Sequence, residues 1–286
     1  LALLAIAFLA VLFSLRNPLA FSMAPGFDAS LFATMGKMWA QGAVPYRDMI
    51  DIKGPIIFAV DALGYRLGHW QGIWALECLL SFIGLFAMNS ALSSLRISPL
   101  SRGMALMAPL ALYGSRYYYD NMTEDWAFHL ALVSQWGFLQ LHGQKRYNLL
   151  PSLVIGFAFA TVIGMRLNNG ALWGAGYFAL FLWWLWLGRW RDAVYLLTTS
   201  LACIALVVLP ILVYFQTHQA LSEMWYYSFG IFFDGSYGHG FSLLTGSVGF
   251  WRTGLFLLLP AFCLQSFWPA RKMHEQEKHL QEKHLQ

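Results

Sequence analysis

The sequence predicts an all-α polytopic membrane protein, a bundle of about eight transmembrane helices with a helical first outer loop. Three observations predict it. Hydrophobic residues make up 58% of the 286 residues and charged residues only 11%, against about 25% in a soluble domain. So few charges cannot cover a water-facing surface, and membrane lipids are the expected surroundings. Apolar runs recur along the whole chain. The short loops between them sort their charges by sign. The 18 Lys and Arg against 14 Asp and Glu are too thin a balance for a polyanion groove, so no nucleic-acid partner is expected.

The apolar runs fall near 1–15, 72–95, 103–116, 126–142, 149–165, 170–188, 193–215 and 244–268. Several are shorter than the roughly 20 residues a bilayer asks for, so their ends are expected to extend into flanking polar residues. A further run, 55–68, contains Asp61 and Gly64 and closes at Arg66. It is expected to lie at or dip into the interface without spanning. Cys78, Cys203 and Cys263 sit inside apolar runs and read as small buried hydrophobes.

With 55–68 left out, the loops alternate. One set carries Arg96 and Arg102, Lys145 and Arg146, Arg189 and Arg191, and Arg271 and Lys272. The opposite set carries Asp28, Asp48, Asp51, Asp120, Glu124, Asp125, Glu223 and Asp234. The positive-inside rule makes the first set cytoplasmic and puts the acids on the outer face. Residues 1–270 then form the transmembrane domain, with an outer loop at 17–71. Residues 271–286 form a charged cytoplasmic tail that ends in the near-duplicate EKHLQEKHLQ. The opening LALLAIAFLAVLFSL, without Met or a basic n-region, is expected of a fragment lacking its true start. Cysteine-accessibility labelling of intact cells is expected to modify Asp120→Cys and to leave Lys145→Cys unmodified; the reverse overturns this topology.

The outer loop 17–71 holds the most distinctive stretch. Asp28 opens an expected surface helix running to about Gln41, with Leu31, Phe32, Met35, Met38 and Trp39 on one face. Gly42 ends it. Then Val44-Pro45-Tyr46-Arg47-Asp48-Met49-Ile50-Asp51-Ile52-Lys53-Gly54-Pro55 sets four charges in seven residues directly before an apolar run. The second outer loop reads Arg116-Tyr117-Tyr118-Tyr119-Asp120-Asn121-Met122-Thr123-Glu124-Asp125-Trp126, and Arg166 with Asn168 and Asn169 stands at the outer end of a span.

The order Asp28, surface helix, Gly42-x-x-Pro45-Tyr46-x-Asp48, Asp51-x-Lys53-Gly54-Pro55, apolar helix resembles bacterial membrane glycosyltransferases of the GT-C fold. It is most similar to the branch related to protein O-mannosyltransferases and lipid A aminoarabinose transferases. The resemblance covers roughly residues 20–190 and is sharpest at 26–55. It implies an integral protein of the bacterial inner membrane with its active site on the periplasmic or extracellular side. The implied activity is inverting transfer of a sugar from a polyprenyl-phosphate donor to a glycan, lipid or protein acceptor.

By position, the resemblance makes Asp28 the catalytic base, which takes the acceptor hydroxyl's proton as it attacks the anomeric carbon. The leaving phosphate is already a weak base and needs no general acid. An aspartate at a helix start is also a common N-cap, and that reading stays open. Lys53 and Arg166 match the positions near the donor phosphate, where a cation neutralises the charge on the leaving group. For Lys53, snorkelling toward lipid headgroups is the alternative. The aminoarabinose branch has an acid immediately before this lysine; here that residue is Ile52, which leaves the part played by Asp51 open. Glu124 matches the fold's second acidic motif. With Asp125, Asp120, Asp51 and Asp48 it is expected to orient the acceptor or sugar, or to hold Mg²⁺ or Mn²⁺. Capping of the following helix by Thr123, Glu124 and Asp125 is the competing explanation. The glycine- and aromatic-rich segment 216–243 reads as a cover over the site.

Fewer spans than that fold usually carries keep a second expectation open. It is a non-catalytic membrane subunit or transporter-like protein whose outer acids bind a cation or partner subunits. An enzyme needs Asp28 and Lys53 in one cavity, and a structural subunit does not.

Overall fold

The structure is a computed structural model. It describes residues 27–95, 97–114, 121–142 and 147–232, with Leu3, Ala5, Ile6, Phe8 and Leu9 of the N-terminal run. Asp120, Asp234, the expected span 244–268 and the tail 271–286 lie outside the described residues. The described residues fall in one unit, Leu1–Asp234. Among them every regular element is helical and no strand forms. The helices are α1 Phe27–Ala40, α2 Pro55–Ser94, α3 Pro99–Gly114, α4 Thr123–His142, α5 Leu149–Met165, α6 Ala171–Trp186, α7 Trp190–Thr217 and α8 Leu221–Ser228, with short 3-10 turns at Leu167–Gly170 and Gly230–Phe232.

Two helices, Pro55–Ser94 and Trp190–Thr217, are long and apolar enough to cross a membrane. Several other expected spans are short helices. At 16, 17 and 16 residues, α3, α5 and α6 rise about 24–26 Å at 1.5 Å per residue, less than a hydrocarbon core of about 30 Å. The apolar faces of the long helices point outward. Only 17% of the apolar window in α7 is buried, where the core helix of a soluble protein would bury most of it. Leu201, Leu206, Leu209 and Val213 are exposed along it.

α2 is two arms. The backbone leaves helical geometry at Gly68 and at His69, whose φ is 54°. In an unbroken helix, residues nine apart stand about 13.5 Å apart along the axis. Here a Cβ on Gly64 would lie 2.7 Å from the Cα of Ile73. The arms 55–67 and 70–94 therefore fold back on each other, and Gly64 and Gly72 allow the close approach. The expected break between a short interfacial run and a following span corresponds to this turn.

Small residues set the remaining contacts. α1 packs on α2, α2 on α4, α4 on α5, and α5 and α6 on α7. Gly36 meets the backbone of Asp61, Gly84 meets His129, Gly137 meets Ile155, and Gly156 meets Cys203. The environment of α1 differs from the expected membrane-surface helix. Phe32 and Met35 are fully buried against Val44, Tyr46, Ile57, Phe58 and Phe215, and Trp39 stacks on Tyr214 at 5.1 Å. The apolar stripe that lipid was expected to cover is covered by α2 and α7, because Gly36 lets the helices approach. Gly42, at φ 102°, ends α1 in a conformation that side chains avoid.

Candidate functional site

The segment 43–54 is held in one shape by its own sequence. Val44 N–H donates to the Asp48 carboxylate at 2.7 Å, and Arg47 pairs with the same carboxylate at 2.8 Å. The Arg47 bond, followed by the Val44 amide, lowers the Asp48 carboxyl to about 2. Arg47 also donates to the His218 carbonyl, fastening the loop to the end of α7. Tyr46 takes φ 67°, a costly conformation for a bulky residue. Its surroundings enforce it. The ring packs against Phe58 and Phe215 at 6.0 and 5.5 Å, and the hydroxyl donates to the Lys53 carbonyl at 2.6 Å. Burial pushes the Tyr46 phenol well above its usual range, so it stays a donor. Ser228 of α8 points at the same carbonyl from 3.5 Å.

Lys53 is thereby fixed at the mouth of α2. Its side chain is only 10% exposed, with the ammonium 5.4 Å from the Phe32 ring centre and 4.0 Å from the Asp28 carboxylate. Asp28 stands in the first turn of α1, not before it, and is 40% exposed. Asp51 lies beside them and accepts the Lys53 N–H at 2.8 Å. Burial raises the Asp51 carboxyl above the usual carboxylate range; the Lys53 charge and the Lys53 and Ile52 amides oppose this, and the Asp28 charge adds to it.

The next residue ties this group to the second acidic motif. Gly54 N–H donates to the Met165 carbonyl at 2.8 Å. Arg166 follows directly, leaves helical geometry and pairs with Glu124. A continuous set therefore runs from Asp28 through Lys53 and Gly54 to Met165, Arg166 and Glu124. Thr123 donates to the other Glu124 oxygen at 2.9 Å. Asp125 is buried and accepts the Met122 N–H at 3.1 Å, the capping bond expected of an acid three residues into a helix start.

The sequence-predicted residues thus separate. Asp28, Asp51 and Lys53 form one group, joined through backbone to Arg166 and Glu124. Asp48 closes its own loop and Asp125 caps α4. Among the described residues no group of three or more His, Cys, Asp or Glu is placed to hold a metal ion. Glu124 is engaged by Arg166, Asp48 by Arg47, and Asp125 by the α4 start. Within 216–243, the described part includes α8, which covers the Lys53 carbonyl through Ser228.

Sequence reasoning missed a second polar group. Asp61 and Glu77, both in α2, are 0% and 4% exposed and converge on Asn121. The signal was present: an acid inside an apolar run is expensive enough to imply a purpose. In comparisons with known proteins, no family model, no curated protein and no solved structure matches this chain.

Proposed function

We propose that the chain is an inverting transferase of GT-C type. It moves a sugar from a polyprenyl-phosphate donor to an acceptor on the outer face of a bacterial inner membrane. The observation that carries the reading is the Asp28–Lys53 pair: a part-exposed carboxylate 4.0 Å from an ammonium that is 10% exposed. Outward-facing apolar side chains along α7 support the membrane location.

In this reading the acceptor hydroxyl attacks the anomeric carbon while Asp28 takes its proton. The bond to the phosphate oxygen breaks with its electron pair, and polyprenyl phosphate leaves. Lys53 stabilises the charge that grows there. Its ammonium can reach a phosphate oxygen up to about 7 Å from the Asp28 carboxylate, which leaves room for the reacting carbon between them. Arg166 is the second phosphate contact, reached by exchanging Glu124 for the donor.

The donor titration tests these roles. Lys53→Met is expected to weaken binding of a polyprenyl-phosphate sugar by about 1.5–3 kcal/mol, the scale of a charge-assisted hydrogen bond. Arg166→Met is expected to cost less, because Glu124 already competes for that guanidinium. Unchanged donor affinity in both variants overturns the assignment. The Arg166–Glu124 pair is also what favours the second reading, a non-catalytic membrane subunit, since both charges are satisfied without any ligand.

A further inference from the structure

Two carboxylates, not one, act on Lys53. Asp28 faces its ammonium from α1 at 4.0 Å. Asp51 acts on the same charge from within the loop and feels the Asp28 charge as well. The two acids are held differently. Asp51 accepts the Lys53 N–H at 2.8 Å and also the Ile52 amide. Both donors belong to its own short loop, so it cannot swing away when a ligand arrives. The loop is braced in turn by the Tyr46 hydroxyl on the Lys53 carbonyl. Burial is the largest influence on the Asp51 carboxyl, so water screens its charge weakly. Asp28, 40% exposed, is better screened. The neighbouring cations have acids of their own: Arg47 pairs with Asp48, and Arg166 with Glu124. Asp51 is thus a fixed negative charge beside the ammonium that meets the ligand.

The transfer proposed above changes the charge at that ammonium. The donor is a phosphodiester with one negative charge. When the bond from the anomeric carbon to the phosphate oxygen breaks, its electron pair stays on that oxygen, and the acceptor's proton goes to Asp28. The departing lipid phosphate is then a monoester with two negative charges. One ammonium offsets the first charge, and the second meets Asp51.

Resting on that reading, we propose that Asp51 sets the charge preference of the site: it lets Lys53 hold a singly charged lipid phosphodiester and expels the doubly charged lipid phosphate that transfer leaves behind. Asp51 acts through its charge on Lys53 and the phosphate, and it makes no bond to sugar or acceptor in this role. It therefore determines specificity and product release and is not a catalytic residue.

The test uses two probes with the same lipid chain. Farnesyl methyl phosphate carries one charge. Farnesyl phosphate carries close to two at pH 8, since a phosphate monoester loses its second proton at about pH 6. Each is titrated against the full chain in detergent at pH 8. The unsubstituted protein is expected to bind the diester several-fold more tightly, whereas a lysine without a fixed acid beside it prefers the monoester. Asp51→Asn keeps an acceptor for the Lys53 N–H and loses the charge. In that variant the monoester is expected to gain about tenfold in affinity and the diester less, the scale of one unit charge at roughly 10 Å and an effective dielectric of about 20. A structural part for Asp51 predicts the opposite sign, weaker binding of both probes. Unchanged or weakened monoester binding in Asp51→Asn overturns the proposal. Should that variant not fold, the unsubstituted protein decides: equal affinity for the probes, or preference for the monoester, overturns it. Lys53→Met keeps this failure apart from failure of the transferase reading. If Lys53→Met weakens both probes while Asp51→Asn leaves their ratio unchanged, the phosphate site stands and only the charge preference falls. If Lys53→Met weakens neither, the phosphate site falls and the preference with it.

Discussion

Asp28→Asn is expected to lower the rate of sugar transfer by about 10²–10⁴-fold, the usual contribution of a general base, while donor affinity changes little. The amide keeps the shape of the carboxylate and can still accept hydrogen bonds in the first turn of α1, but it cannot take a proton. Among the described residues the cation facing Asp28 is Lys53, at 4.0 Å, and Asp51 remains beside that ammonium when the Asp28 charge is removed. Little loss of stability is therefore expected, since the 4.0 Å contact is loose and a second carboxylate still faces Lys53. The measurement is single-turnover transfer with melting recorded in parallel. Near-normal turnover returns Asp28 to a structural part at the helix start. A rate loss that tracks a fall in melting temperature counts against the base as well.

Much of the site was legible because it is local. Asp48, Arg47 and Val44 bond within five residues, and Asp51 meets the Lys53 amide two residues away. Charges and prolines packed that densely before an apolar run leave the chain few ways to satisfy them. The limits of α5 were legible for the same reason: the expected run 149–165 is the observed helix, capped by Asn148, whose side chain accepts the Leu150 N–H at 3.1 Å.

What sequence hid depends on distant partners. Phe32 and Met35 form an apolar stripe whether lipid or protein covers them; Gly36, against Asp61, decides for protein. The pairing of Arg166 with Glu124 joins two helices, and nothing local distinguishes it from an arginine awaiting a phosphate. Asp61 and Glu77 lie far apart in a linear helix. The turn at Gly68 and His69 brings them together; sequence marks a break there, but not that the two arms fold back on each other.

Gly54→Ala is expected to be the most damaging small substitution in the outer loop, lowering stability by about 1–3 kcal/mol, the usual cost of overpacking a rigid contact. A Cβ at Gly54 would run into the Gly164 carbonyl group, with the carbonyl carbon at 2.8 Å and the Met165 oxygen at 3.2 Å. Both are backbone atoms inside or at the end of α5, and neither can rotate away. Gly54 itself has φ −70°, so the cost comes from contact and not from backbone strain. Gly164→Ala probes the same junction from the other side and should differ. Its Cβ would meet the side chain of Ile56, which can change rotamer, and Ala within a helix gains about 0.5–1 kcal/mol over Gly. In a chain of this size, each kcal/mol moves the midpoint by about 2–4 °C, so melting in detergent separates the two variants. The contact also carries the Gly54 N–H bond to the Met165 carbonyl, the link between Lys53 and Arg166. Gly54→Ala should therefore reduce donor binding while Asp28 stays intact, and Gly164→Ala should leave binding near normal. Equal melting of the two alanine variants would show that the two segments do not meet through the backbone at this point, and would remove the connection between Lys53 and the second acidic motif.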